Sequence, residues 1–145
     1  MLREMKLEDA EKIREITASQ LGYDAPLSLI IQQIQKIVSD KKKHFTLVYE
    51  DDVSGEVLGY VHAELYDSIY SEPMFNVLSL AVSKKTEKMG IGKLLMQAVE
   101  TEAKKRNIFA IRLNSGETRI DAHKFYERIE YKNEKLQAKF IKILD

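Results

Sequence analysis

The segment "TEKMGIGKLL", residues 86–95, places two glycines one residue apart between a run of β-forming residues and an amphipathic stretch. Gly90 and Gly92 lack Cβ atoms at a predicted strand-to-helix turn, where backbone N–H groups can point at an anion. The pattern predicts either an anion site that would fit a pyrophosphate or a plain tight turn. Nearby lysines would add positive charge to the first or solvate the second: Lys84, Lys85, Lys88 and Lys93.

Two common phosphate-binding loops do not fit this segment. A Walker loop needs glycine where Glu87 stands and serine or threonine where Leu94 stands. A dinucleotide fingerprint needs a third glycine at Leu95 and belongs near the start of a βαβ unit. Both alternatives are therefore excluded.

Hydrophobic periodicity on either side of the turn predicts the order β-α-α-β-β-β-α-β-α-β, an α/β (α+β) fold. A strand at "MLREM" precedes a helix that ends at "LGYDAP", and a second helix follows Pro26. Three strands, "FTLVYE", "VLGYVHAEL" and "FNVLSLAV", are separated by "DDVSGE" and "SEPM" and suit antiparallel hairpins. A long helix begins at Ile91, followed by a strand at "FAIRLN", a helix at "TRIDAHKFYERI" and a last strand at "LQAKFIKIL".

Composition limits the classes of function. A chain of 145 residues, 44% of them hydrophobic, predicts one domain over residues 1–145. Lysine plus arginine balance aspartate plus glutamate at 23 each, which disfavours nucleic acid and anionic membranes as partners. The absence of cysteine, of a signal-like start and of a long apolar run predicts a cytoplasmic protein. Three scattered histidines without ligand spacing predict no metal.

Four segments, "LSLAV", "GIGKLLM", "LNSGETR" and "AHKFYERIEY", occur in the order and spacing of the GNAT acetyltransferase superfamily, which this sequence strongly resembles over nearly its whole length. The resemblance implies a mixed, mostly antiparallel sheet of about six to seven strands flanked by four helices. It also implies acetyl-CoA as cosubstrate, a pyrophosphate on the turn before the long helix, and acetyl transfer to an amine. A homodimer is compatible with it.

The same resemblance assigns cofactor contacts residue by residue. The strand end that pairs with pantetheine falls on Leu80, Ala81 and Val82. The pyrophosphate loop falls on Glu87, Lys88, Met89, Gly90, Ile91, Gly92 and Lys93, and further contacts fall on Asn114, Phe125 and Tyr126. Glu87 replaces the family's usual glutamine or arginine, so Lys88 or Lys85 is expected to supply the missing positive charge.

Tyr126 matches the family's general-acid position, where a phenol donates a proton to the departing thiolate. Alternatively it is a core tyrosine, because it shares helical spacing with Ala122, Phe125 and Ile129. Thr118 and Asp121 have the spacing of a capping box that would start this helix. After the helix, Glu130-Tyr131 replaces the family's glycine-aromatic pair, which predicts a left-handed non-glycine residue.

The general base stays open. Some relatives use a glutamate on the fourth strand, and Ser79 stands there. The remaining candidates are Glu64, His62 or a water chain, and strand alternation places the two side chains on one face. Taken alone, His62 is typical of an ordinary strand histidine, and His123 of a helix surface.

The acceptor pocket is predicted at the "QLGYDAP" loop and the "ELYDSIYSEP" connection, which also contributes Asp67, Tyr70 and Glu72. Candidate acceptor contacts are Leu21, Tyr23, Asp24, Glu64 and Tyr66. Carboxylates and aromatic rings suit a cationic amine, although the same residues suit polar surface loops. Two functions follow: an N-acetyltransferase acting on a small-molecule or peptide amine, or a non-catalytic acyl-CoA-binding or regulatory module on the same fold.

Overall fold

The computed structural model describes residues 1–86 and 88–144. The chain forms two compact units, Met1–Leu113 and Asn114–Asp145. The strands of the first unit are β1 (Leu2–Glu4), β2 (His44–Glu50), β3 (Val57–Ser68), β4 (Ser71–Val82) and β5 (Ile111–Leu113), and its helices are α1 (Ala10–Leu21), α2 (Leu27–Val38) and α3 (Ile91–Lys105). The second unit contains α4 (Ile120–Arg128). None of the helices in the described part is long and apolar enough to cross a membrane.

The sheet has the order β1-β2-β3-β4-β5, with antiparallel pairs except for the parallel pair β4–β5. The mixed, mostly antiparallel class and the element order are confirmed as far as α4. The strand count is lower than expected, because the described residues form five strands and the segment 136–144 pairs with none. A strand needs a neighbour for its backbone groups, and β-forming residues alone do not supply one. In this segment Phe140 is 93% exposed.

Helices α1 and α2 cover one face of the sheet. The apolar stripe of α1 recurs at helical spacing and is buried at Ala10, Ile13 and Ile16, and Ile34 of α2 joins the same cluster. The sheet contributes Val48, Tyr60 and Ala81, which lie directly opposite one another on β2, β3 and β4. Burial of these side chains against the two helices fixes which face of the sheet each strand presents to α1 and α2.

Helix α3 packs on the opposite face. A Cβ atom on Gly59 would lie 3.1 Å from the Ala81 carbonyl oxygen and 3.3 Å from Cγ2 of Ile91, so glycine allows this close approach. The fully buried positions of α3 include Leu95 and Val99, as the helical spacing predicts. Leu94, three residues after Ile91, also has the spacing of a buried position but is 42% exposed.

The β3–β4 hairpin is longer than its sequence suggests. The "ELYDSIYSEP" stretch was expected to be a connection, but β3 continues to Ser68 and β4 begins at Ser71. Ser68 lies opposite Ser71, so only two residues form the turn. A register shift between Tyr66 and Ser68 accommodates this polar stretch within the ladder. Glu64 and Tyr66 are therefore strand residues.

In the second unit, α4 begins at Ile120 with Arg119 as N-cap and without a side-chain cap. The predicted capping box from Thr118 to Asp121 is therefore wrong, since the helix begins one residue too late for Thr118 to cap it. The His123 ring instead makes a 2.8 Å hydrogen bond to the Gly116 carbonyl oxygen. Beyond the helix, Glu130 has φ 73°, so the predicted left-handed non-glycine residue is confirmed.

Candidate active site

Polar side chains form two rows across the face of the sheet that α1 and α2 cover. Residues directly opposite one another on antiparallel strands share a face, so the register defines each row. The rows follow the buried row of Val48, Tyr60 and Ala81: first Thr46, His62 and Ser79, then His44, Glu64 and Asn76. The predicted common face of His62 and Glu64 is thereby confirmed. This face of the sheet therefore changes from apolar at the Tyr60 row to polar at the His62 row, two residues further along β3.

The two histidines of these rows contact each other. His44 Nδ1 lies 2.9 Å from His62 Nε2, and the ring centroids are 5.0 Å apart. Burial, and secondarily the neighbouring His44, lower the pKa of His62 from 6.5 to about 4, against the opposing charge of Glu64. His62 is therefore neutral at neutral pH, and one of its ring nitrogens carries a lone pair.

Glu64 belongs to a hydrogen-bonded chain that crosses to β5. Asn76 Nδ2 donates to Glu64 Oε2 at 3.1 Å, and Arg112 Nη1 donates to Asn76 Oδ1 at 2.8 Å. The Arg112 guanidinium also lies 4.5 Å from the centre of the Tyr66 ring. This chain holds the Glu64 carboxyl group in place through Asn76, which is itself 9% exposed.

A cavity of about 150 Å³ opens over the first polar row. Helices α1 and α2 supply an apolar wall with two polar members, Thr17 and Gln33. The sheet supplies Thr46, Tyr60, His62 and Ser79. The hydroxyl oxygens of Thr17 and Tyr60 lie 2.7 Å apart, which fixes α1 to β3 at the wall.

Strand β4 has an open edge next to this cavity. Its parallel pairing with β5 covers only Phe75, Asn76 and Val77, and within the described residues no strand continues that pairing along 78–82. Ser83 N–H donates to the Leu58 carbonyl of β3 at 2.7 Å. Because donors alternate along a strand, the backbone groups of Leu80 and Val82 point away from β3, toward the open edge. Ala81, between them, bonds back to β3 and has a buried side chain.

The turn after β4 leads into α3 through two left-handed residues. Gly90 is the N-cap of α3 with φ 77°, and nothing lies within 4 Å of the position its Cβ would take. Lys88 has φ 70° and is exposed, as are Met89 and Lys93. Glu87 lies outside the described residues. Gly90 thus occupies a left-handed backbone conformation, which glycine adopts without steric cost.

The first residues of α3 complete this turn. Ile91 is buried and Gly92 is the second helical residue. Leu94 N–H donates to the Gly90 carbonyl, so the amides before Leu94 have no partner within their own helix. Of the two lysines expected to supply charge, Lys85 lies 3.2 Å from the Glu56 carboxylate.

The predicted acceptor contacts are divided between the core and the surface. Leu21 packs against the cluster under α1 and α2. Tyr23 is 67% exposed and Asp24 is exposed as well. Glu64 and Tyr66 are half-buried on β3 and belong to the Asn76–Arg112 chain.

In the second unit, Tyr126 is half-buried on α4. Its ring makes edge contacts with Phe125 and Tyr131, at centroid distances of 5.1 and 6.1 Å. Burial raises the pKa of the Tyr126 phenol, and Arg119 opposes that shift. The phenol therefore keeps its proton at neutral pH. Asn114 is exposed at the start of this unit.

Sequence patterns did not indicate His44 and Asn76 in the polar rows, or Arg112, which extends the second row to β5. His44 begins a strand and lies 18 residues from His62, so only the hairpin register brings the rings together. Asn76 and Arg112 come together through the parallel pairing of β4 with β5. Alternation within "VLGYVHAEL" located His62 and Glu64, but no local pattern specifies their neighbours.

A strand with an open edge thus leads through a glycine turn into the long helix α3. The sequence profile of the Acetyltransferase (GNAT) family matches residues 8–131, and the chain belongs to that family. An uncharacterized N-acetyltransferase of Chlorobaculum tepidum is 28% identical over 134 residues, covering 90% of this chain and 74% of that protein.

Solved structures share the fold at low identity. The aminoglycoside 6'-N-acetyltransferase AAC(6')-Ih of Acinetobacter baumannii is similar with a TM-score of 0.85 and 12% identity, over 100% of this chain and 99% of that chain. AAC(6')-Iy, solved with the bisubstrate analogue CoA-S-monomethyl-acetylneamine, has a TM-score of 0.84 and 14% identity, over 99% and 98% of the two chains. These structures show the shared fold, and the family assignment makes the chain an acetyltransferase.

Proposed function

We propose that this protein transfers an acetyl group from acetyl-CoA to a primary amine of a small molecule or peptide, which attacks the thioester directly. The observation that carries the proposal is the position of Ser79. Its side chain lines the cavity over the first polar row, while the backbone of the next residue, Leu80, belongs to the open edge of β4. An amine in the cavity and an acyl chain along the edge would meet at this strand.

The residues present fit acetyl-CoA at two places. The outward backbone groups of Leu80 and Val82 suit the amides of pantetheine, which can pair with a strand edge. The amides at the start of α3, which have no partner within the helix, and the open space at Gly90 suit a pyrophosphate, with Lys88 and Lys93 as nearby cations. Acetyl-CoA supplies an acetyl group activated as a thioester. Backbone N–H groups of β4 would polarise its carbonyl.

The acceptor is proposed to be a cationic amine. The cavity offers hydroxyl groups at Tyr60 and Ser79, and the adjoining row offers a carboxylate at Glu64. Tyr66, two residues further along β3, offers an aromatic ring. A carboxylate and a ring face attract an ammonium ion as it approaches. Tyr23 and Asp24, at the end of α1, are proposed as outer contacts of a longer acceptor.

Tyr126 is proposed as the proton donor to the departing thiolate. Its buried phenol keeps its proton across the neutral range, which a general acid requires. The edge contacts with Phe125 and Tyr131 restrict the ring. Phe125 and Asn114 are proposed as cofactor contacts, because they match positions that bind the cofactor in the family.

An acetyl-CoA turnover screen tests the proposal. The purified chain is incubated with acetyl-CoA and each of four amines: spermidine, neamine, lysine and a tripeptide with a free amino terminus. Thiol release that depends on one amine, together with the acetylated product by mass spectrometry, is the expected result. Tight acetyl-CoA binding without turnover of any amine would favour a non-catalytic acyl-CoA-binding module instead.

A further inference from the structure

We propose that His62 and His44 act as a proton-transfer pair, in which His62 takes the proton that the acceptor nitrogen loses and His44 passes it to solvent. The inference rests on the proposed amine acetylation and names the base that this reaction needs. Three observations carry it: the direct contact of the two rings, the different cavities they line, and the separate engagement of Glu64.

The ring contact provides the path. His44 Nδ1 and His62 Nε2 are 2.9 Å apart, so one of these nitrogens donates a hydrogen and the other accepts it. When His62 Nε2 carries the hydrogen, its Nδ1 has a free lone pair. A proton added to Nδ1 then allows the Nε2 proton to pass to His44 without movement of either side chain.

The two rings line different cavities. His62 lines the cavity of about 150 Å³ under α1 and α2, where the acceptor is proposed to bind. His44 lines a neighbouring cavity of about 250 Å³, whose wall has four charged residues: Glu4, Lys41, Glu102 and Arg106. Such a wall stays hydrated, so a proton on His44 has an aqueous exit. Thr46, which lies opposite His62 on β2, lines both cavities.

Glu64 is less suited to be the base. Its carboxylate accepts a hydrogen bond from Asn76, which in turn accepts one from Arg112. Neither cavity has Glu64 in its wall among the described residues. Glu64 therefore supplies fixed negative charge beside the pair, while His62 presents its ring to the cavity.

The low basicity of His62 suits a reaction in which the amine nitrogen loses its proton only after it has begun to bond to the acetyl carbon. Burial lowers the pKa of His62 to about 4, which makes it too weak a base for a free ammonium ion. A neutral amine becomes positively charged and strongly acidic as its lone pair bonds to the acetyl carbon, and a weak base then suffices. The reacting nitrogen, attracted to the site as an ammonium ion, must therefore lose one proton to water before it attacks the acetyl carbon.

The groups around His62 come from every element packed against it. They are His44 from β2, Glu64 and Tyr60 from β3, Ser79 from β4, and Thr17 and Gln33 from the helices.

The step balances as follows. The nitrogen–carbon bond forms while the carbon–sulfur bond breaks, and its electron pair leaves on sulfur, which Tyr126 protonates. The nitrogen–hydrogen bond breaks, and His62 Nδ1 gains that proton. His62 Nε2 loses its proton to His44 Nδ1, and the His44 Nε2 proton goes to water. Exchange of protons with water restores both histidine tautomers and returns a proton to the Tyr126 phenolate, so the net products are the amide and the thiol.

Two variants test the pair with the best acceptor among spermidine, neamine, lysine and the tripeptide. His62→Gln is expected to lower kcat about 10²–10⁴-fold with little change in the acetyl-CoA dissociation constant. His44→Ala is expected to lower kcat, and added imidazole should restore it. Pyrazole, of the same size but far less basic, should not. A merely structural role for His44 predicts equal rescue by both rings.

Nitrogen NMR of the histidine rings provides a readout without turnover. In the wild type, His44 Nδ1 and His62 Nε2 should show the shifts of a hydrogen-bonded pair, and His44→Gln should move the His62 signals and raise its titration midpoint. His123→Gln makes the same substitution in the second unit and should leave these signals unchanged. Wild-type turnover with unchanged kcat in both variants would overturn the pair and leave the proposed function intact. A wild type that acetylates no amine would overturn both.

Discussion

The clearest quantitative consequence of the site concerns acid stability. Burial and His44 hold the pKa of His62 at about 4, against 6.5 for an ordinary histidine. Between these two values the unfolded chain binds a proton that the folded chain does not. The free energy of unfolding must therefore fall as the pH drops from about 6.5 toward 4, and above 6.5 this contribution is fully present.

The size of the loss follows from the shift. Each pKa unit corresponds to about 1.4 kcal/mol, so the shift from 6.5 to about 4 corresponds to about 3 kcal/mol of lost stability at pH 4. His62→Gln removes the titrating ring and keeps a side chain that can bond to His44 Nδ1. The variant is expected to lose about 3 kcal/mol less than the wild type between pH 7 and pH 4. Carboxylates elsewhere titrate in both proteins and cancel in this difference.

Urea unfolding at pH 7, 6, 5 and 4 measures these differences directly. Ser79→Ala is a matched control, because it changes the residue opposite His62 but retains the ring, and its acid loss should match the wild type. His44→Gln should give an intermediate loss, since it removes one of the causes that lower the pKa. Parallel curves for the wild type and His62→Gln over this range would refute the reasoning that His62 is buried and neutral.

Three other substitutions give separate results. Tyr126→Phe keeps the ring and its contacts but removes the proposed donor, so kcat should fall about 10²–10⁴-fold while calorimetry shows an unchanged acetyl-CoA dissociation constant; equal rates would make Tyr126 a packing residue. Gly92→Val, at the second residue of α3, should change the free energy of urea unfolding by about 1 kcal/mol or less but weaken acetyl-CoA binding, and an unchanged dissociation constant in the folded variant would remove this turn from the cofactor site. Glu130→Gly relieves a left-handed residue at φ 73° and should raise the free energy of unfolding by about 1 kcal/mol, whereas Glu130→Ala, which keeps a Cβ, should not.

Local patterns predicted most of the elements because burial sets their period. The stripe of α1, the start of α3 and the common face of His62 and Glu64 all follow from one-sided contact with a core. Contacts between distant strands could not be predicted in the same way. His44 meets His62 through a hairpin register, and that register depends on the whole β2–β3 ladder. The prediction of a strand over 136–144 was wrong for a related reason, because apolar β-forming residues do not specify a partner strand.

A bulge in β4 places the Ser79 side chain on a different face of the sheet from the one that strict alternation of side chains along the strand would predict. His62 lies opposite Ser79 while the next residue, Ala63, lies opposite Val77, so Leu78 has no opposite residue on β3. Without that extra residue, Ser79 would face α3 rather than the cavity. The bulge puts Ser79 on the same face as Asn76, three residues earlier. The parallel ladder with β5 also ends at Val77, immediately before the bulge. One inserted residue thus turns a polar side chain into the cavity at the point where the edge of β4 becomes free.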